Sequence, residues 1–253
     1  MFPLYPKITP MKTLLTALLL LTGFMRTDAQ VQKNLVVDAD AEVRTVTGFT
    51  GIEVSGAIDL YISQGSEEAV AISASTDEIR QRIRTEIRSG ILHIYLDGKG
   101  LNWKKWGNNK MKAYVTYKTL SRLEASGACN VKSTDPVRQN ELRMELSGAS
   151  DFTGEVSIGK FSLVASGASV VKISGNAATA NLEANGACNV KAYDLVTDMC
   201  KIDASGASNV RITVNKELNA VASGGSTIYY KGTGLIRDIS SSGGASIKRR
   251  SDD

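Results

Sequence analysis

Two groups of side chains in this chain are of types that bind rather than cleave. The stretch Asp97 to Lys110, DGKGLNWKKWGNNK, holds both tryptophans, and Trp103, Lys104, Lys105 and Trp106 place two indoles around two ammonium groups. Indole faces stack on sugars and ammonium groups attract carboxylates, so such a loop suits an acidic glycan. The blander alternative, which the sequence favours, is that both rings fold back over the end of the molecule and are buried there. The second group is Lys132, Lys172, Lys191, Arg211 and Lys248, which hold one position of a repeat set out below. Stacked like charges cost about 0.2 to 1 kcal/mol per pair, a cost that a polyanionic partner would offset. Here too the sequence favours a blander reading. The row is then a solvated face, with Glu124, Glu145, Glu183 and Asp203 as its counterweight and both rows deterring edge pairing.

Catalytic and metal chemistry find little support. Some polysaccharide-cleaving β-helices use paired carboxylates, and Asp151 and Asp203 are available, so an enzyme of that kind stands as a remote alternative. Coils this short leave little room for the long loops of a substrate cleft. His93 is the only histidine, sits in an alternating strand, and has no Cys or His companion nearby. The glycines lack the strand-to-helix context of a phosphate loop, and no calcium-binding spacing occurs, so no metal and no cofactor are expected. Cys129, Cys188 and Cys200 are an odd set without zinc or redox spacing and read as small buried hydrophobes.

The elements that would carry these groups follow from self-similarity. One pattern is written seven times: SGACNV from Ser126, SGASDF from Ser147, SGASVV from Ser166, NGACNV from Asn185, SGASNV from Ser205, SGGSTI from Ser223 and SGGASI from Ser242. Their starts lie 21, 19, 19, 20, 18 and 19 residues apart, and an earlier copy, SGAIDL, begins at Ser55. Before each copy, apolar residues alternate with polar ones, as in Met144, Glu145, Leu146 and Ile202, Asp203, Ala204. After it, Val131, Phe152, Val171, Val190, Val210, Ile228 and Ile247 resume the apolar beat. Period two on both sides of a glycine means strand, tight turn, strand. The turn glycines are Gly56, Gly127, Gly148, Gly167, Gly186, Gly206, Gly224 and Gly243.

A period near 19 residues matches one coil of a β-helix and is too short for a helical repeat or a propeller blade. Coils stack at about 4.8 Å, giving a rod on the order of 30 Å. Asn130, Asn189 and Asn209 then share a column and could form an amide ladder. Cys129 and Cys188 lie roughly 14 Å apart, too far to bridge.

Residues 43–119 lack the period but alternate as strands at Ile52 to Val54, Asp59 to Ser63, Ala69 to Ser73, Ile91 to Leu96 and Met111 to Tyr117. Thr76-Asp77-Glu78 followed by Ile79 and Ile83 predicts a short capped helix, then a strand Arg84 to Arg88 and a Ser89-Gly90 turn. This part is expected to cap the solenoid of residues 120–250. Lys12, the apolar run Thr13 to Phe24, and Thr27-Asp28-Ala29 before Gln30 predict a signal peptide over residues 1–29, ahead of an extension over 30–42. The run is too short for a membrane anchor, so no integral membrane segment is expected after its removal. Lys7, Lys12 and Arg26 against Asp28 give the leader +2 of the net +4, and the remaining +2 makes no case for nucleic acid.

The opening Gly48-Phe49-Thr50-Gly51-Ile52-Glu53-Val54-Ser55-Gly56, the turn-strand Ser89-Gly90-Ile91-Leu92-His93-Ile94 and the series begun by Leu123-Glu124-Ala125-Ser126-Gly127-Ala128 resemble the head GIN domain family of putative auto-transporter adhesins, secreted proteins of Bacteroidetes-type bacteria. The resemblance covers roughly residues 44–248. It implies an all-β fold, a right-handed parallel β-helix on or outside the cell envelope, with an adhesive role and no catalytic residues. After Arg250 only Ser251, Asp252 and Asp253 remain, which leaves no room for an autotransporter barrel. The expectation is an exported, non-enzymatic solenoid in the periplasm, on the outer membrane or outside the cell. It recognises a polysaccharide or another envelope component or, alternatively, is structural and works through a protein partner.

Overall fold

A computed structural model describes residues 38–100 and 109–251. The expected leader, most of the extension, and Trp103, Lys104, Lys105 and Trp106 lie outside the described residues. The strands, in chain order, are β1 (Glu42–Arg44), β2 (Gly51–Ser55), β3 (Asp59–Gln64) and β4 (Ala69–Ala74). Helix α1 (Asp77–Arg82) follows, then β5 (Ile83–Arg88), β6 (Ile91–Leu96), β7 (Met111–Tyr117), β8 (Arg122–Ser126) and β9 (Asn130–Ser133). The long coils are β10 (Val137–Leu146), β11 (Asp151–Gly167), β12 (Val170–Gly186), β13 (Asn189–Gly206) and β14 (Asn209–Ala222). The chain finishes with β15 (Thr227–Lys231), β16 (Leu235–Ser241) and β17 (Ser246–Arg249).

These strands form a parallel β-solenoid, as the 19-residue period predicts. One wall stacks β6, β2, β8, β10, β11, β12, β13, β14 and β16, and the next stacks β7, β3, β9, β11, β12, β13, β14, β15 and β17. Alternation makes each inward position a column. Leu92, Ile52, Leu123, Met144, Leu163, Leu182, Ile202, Ala220 and Ile239 run down the first wall. Val131, Phe152, Val171, Val190, Val210, Ile228 and Ile247 run down the second. Nearly all are fully buried, so each rung removes its aliphatic side chains from water only because the next rung covers them.

Between the two walls lies the Ser-Gly-Ala corner, where the ladder does not pause. The backbone N–H of Ala149 donates to the Gly127 carbonyl, Ala168 to Gly148, Ala187 to Gly167 and Ala207 to Gly186, all at 2.7 Å. The fourth residue of the motif points inward, and its hydroxyl or thiol bonds back to the first. Ser169 Oγ reaches Ser166 O at 2.9 Å, and Cys188 Sγ reaches Asn185 O at 3.4 Å. Ser and Cys therefore exchange freely there. All three cysteines are buried and unbridged, and burial raises each thiol, that of Cys200 to about 12.

Hydrogen bonding crosses the 119/120 boundary without a break. Strand β2 lies between β6 and β8 and parallel to both, with Ile52 opposite Leu92 on one side and Leu123 on the other. Strand β3 lies likewise between β7 and β9. Beyond the outermost parallel rung the pairing turns antiparallel: β5 covers β6, β4 covers β7, and β1 covers β4. Helix α1 links β4 to β5, with Thr76 Oγ1 accepting from Ile79 N at 3.3 Å as its N-cap.

Asp38 pins the segment leading into β1. Its carboxylate accepts from Tyr114 Oη at 2.7 Å, Lys112 Nζ at 3.0 Å and Ser73 Oγ at 3.0 Å. Burial alone would raise its pKa, but these three donors outweigh it and hold the group at about 2. A carboxyl depressed in the folded state stabilises above its unfolded value, near 4, and that contribution fades as pH falls toward 2. Asp38→Ala is expected to lower unfolding free energy by about 2 kcal/mol at pH 7, with the gap closing toward pH 2. Urea denaturation of both proteins across that range checks it.

Candidate binding face

The outward residues of the second wall form one column in the order Tyr114, Tyr61, Lys132, Thr153, Lys172, Lys191, Arg211, Tyr229 and Lys248. The five basic residues expected to share a row do so, and Lys172, Lys191 and Arg211 occupy three successive rungs. None of the five has an ion-pair partner among the described residues. The tyrosines were not singled out in the sequence, although a signal existed. Tyr61 follows Ser55, and Tyr229 follows Ser223, by the offset that places Lys132 after Ser126.

Aromatic rings accompany the cations. Tyr61 and Tyr114 stack at 5.3 Å and 19° at the capped end. Toward the other end, Arg250 lies 4.4 Å over the Tyr229 ring and Lys231 lies 5.2 Å over Tyr193. Tyr193, Asn209, Arg211, Tyr229, Lys231, Arg250 and Ser251 line an open groove of about 440 Å3.

Beside the basic column runs a second one: Asp59, Asn130, Asp151, Val170, Asn189, Asn209, Thr227 and Ser246. The three asparagines do share it, but Asp151 and Val170 interrupt them, so no continuous amide ladder forms. Asn130 Nδ2 instead donates to Asp59 Oδ1 at 2.7 Å. The side-chain oxygens of Asn189 and Asn209 are buried without a hydrogen-bond partner. Buried polar atoms are rarely left so, and these two lie on the rungs of Lys191 and Arg211.

The acidic row is on the first wall, across the glycine corner, where Glu53, Glu124, Glu145, Glu183 and Asp203 share a column. Much of its charge is satisfied locally. Arg122 pairs with Glu124, Arg143 with Glu145 at 2.6 Å, and His93 Nδ1 lies 3.0 Å from Glu53. Three of its five members are thus engaged on their own wall, and none pairs with the basic column. Another groove, about 500 Å3, has Phe161 and Cys200 among its lining, but its rim pairs Lys160 with Glu141 at 3.0 Å and offers no single sign of charge. No group of three His, Cys, Asp or Glu that could hold a metal occurs among the described residues. No helix among them is long and apolar enough to cross a membrane.

The tryptophan loop joins β6 to β7 in the outermost parallel rung. The end of β6 lies against the Gly56 corner of the next rung, where Leu96 stands 3.4 Å from the place a side chain on Gly56 would take. Its base is tied down: Asp97 N donates to Arg82 O at 2.9 Å, and Ser75 N to Lys110 O at 3.1 Å.

The fold is shared with solved structures of low sequence identity. A putative adhesin from Bacteroides fragilis superposes with a TM-score of 0.76 at 22% identity, over 83% of this chain and 96% of that one. A putative adhesin from Parabacteroides merdae gives 0.64 at 17%, over 83% and 95%. A putative lipid binding protein from Parabacteroides distasonis gives 0.63 at 17%, over 83% and 97%. Among curated proteins none matches. The family model for putative auto-transporter adhesins with a head GIN domain matches residues 48–234, in agreement with the residues that carried the resemblance, and the chain belongs to that family.

Proposed function

We propose that this protein is an exported, non-enzymatic binding protein of the cell envelope whose second wall holds a linear acidic polysaccharide along the rod axis. The observation that carries this reading is the run Lys172, Lys191 and Arg211, one cation on each of three successive rungs, none with an acidic partner among the described residues. Successive cations about 4.8 Å apart match a chain that carries an acid group on each extended sugar unit. The Tyr193 and Tyr229 rings offer stacking faces beside the cations. Family membership, and the adhesins among its structural neighbours, support attachment as the role. The predicted leader supports export, to the periplasm, the outer-membrane surface or beyond. A structural protein acting through a protein partner is the competing reading.

The experiment is binding of the purified protein to an array of acidic and neutral glycans in rising salt, beside a Trp103→Ala, Trp106→Ala variant. The expected result is saturable binding to acidic chains only, weakening steeply between about 0.05 and 0.5 M salt as screening shortens the reach of the column. Loss of binding in the tryptophan variant would add the loop to the site. Salt-resistant binding to neutral glycans would remove the basic column from the mechanism. Absence of binding to every glycan by a folded protein would favour the protein-partner reading.

A further inference from the structure

The two ends of the rod are finished differently. At the capped end β5 and β4 lie antiparallel on the outermost rung. At the other end β16 pairs with β14, and no described strand takes its outer edge. Two core columns run out through that edge, because Ile236 continues Leu218 and Ile239 continues Ala220. Ile236 is 49% exposed and Ile239 37%, where Leu218 and Ala220 behind them are buried, and Leu235 beside them is 68% exposed. An apolar strand with a free row of N–H and C=O groups is a template for another strand.

The edge is also complementary to itself. Leu218 pairs with Ile236, and Asn219 with Asp238, so Arg237 is an extra residue in a bulge. That bulge brings Ile236 and Ile239 onto the same inward side despite their odd separation. A twofold axis passing between Arg237 and Asp238 sets Ile236 against Ile239 of a second copy and Arg237 against its Asp238, with both contacts repeated by symmetry. Arg237 now reaches Glu217 at 3.2 Å across an exposed surface and is free to extend outward. The cap shows that this fold accepts an antiparallel strand on a terminal rung.

We propose that two copies join end to end through β16, forming a twofold dimer that continues both cores and doubles the length of the rod. The pairing leaves the basic wall uncovered and does not depend on the ligand reading. Sedimentation equilibrium of the purified protein tests it, beside Arg237→Asp, the exchange Arg237→Asp with Asp238→Arg, and Ile239→Lys. Circular dichroism and melting confirm that each is folded; Arg237 and Asp238 lie on the surface and Ile239, at the open end of its column, is 37% exposed, so folding is expected to survive. The wild type is expected to dimerise at micromolar concentration. Arg237→Asp sets like charges opposite each other twice and weakens the dimer about tenfold or more, and Ile239→Lys does the same. The exchange restores opposite charges and returns most of the affinity. A wild type that stays monomeric to about 50 µM overturns the proposal. So does a dimer indifferent to Arg237→Asp, or one that the exchange fails to restore.

Discussion

Replacing Gly167 by valine is expected to unfold the protein or to cost more than about 4 kcal/mol. Two independent demands meet at this residue. Its φ is +73°, a region that a β-branched side chain occupies only under strain. A side-chain carbon there would also collide with the Gly148 carbonyl oxygen, with backbone atoms of Gly148 at 3.1 Å. Relief would require the rungs to part, which would break the Ala168 N to Gly148 O bond and uncover the core columns on either side. Gly90 separates the two demands. Its φ is +76° but nothing lies within 4 Å of the position a side chain would take, so Gly90→Ala is expected to cost only about 1 kcal/mol. Thermal and urea unfolding of the two variants compares them, and equal losses would show that backbone conformation, not the close approach of rungs, makes the corner glycine necessary.

The second large effect falls on binding. Lys191→Glu with Arg211→Glu is expected to weaken acidic-glycan binding by about 100-fold at low salt, with unfolding free energy changed by less than about 0.5 kcal/mol. Each exposed cation contributes up to about 1 kcal/mol, and inverting it adds repulsion of comparable size. Reversing these two charges leaves positions 191 and 211 like-charged but turns the contact with Lys172 attractive, so stability holds or rises slightly. Isothermal titration at two salt concentrations reads both the loss and its screening, and an affinity unchanged by the reversal would place the ligand elsewhere on the rod.

Most of the architecture is written in the chain because a solenoid's contacts are local in sequence. Ser-Gly-Ala at intervals near 19 residues, with Val or Phe five positions on from the serine, sets the corner, the inward beat and the coil length together. The strands of residues 51–117 and helix α1 are legible for the same reason, since period two and the Thr76 cap are short-range signals. Their order in the stack is not. Nothing near Ile52 announces that it will lie between Leu92 and Leu123, because that choice is made by tertiary packing across long separations. The basic row was legible as a column by counting offsets. Its lack of counterions was not, since sequence alone did not show that Glu124 and Glu145 are claimed by Arg122 and Arg143 on another wall. Tyr61 and Tyr229 escaped notice because they break the charge pattern while keeping its position.

The interleaving of β2 and β3 has a consequence for how the rod comes into being. A plain repeat array can nucleate anywhere and zip in either direction, since each coil waits only for its immediate successor. Here the coil made first becomes the second rung, and its two flanks arrive later, from β6 and β7 on one side and β8 and β9 on the other. Until Ser133 has emerged, Ile52 and Leu60 keep a bare side, so the capped end closes as one non-local event and sets the pace of folding. Once closed, it is the end least able to fray, and opening is expected to begin at β16 and β17 and travel toward it.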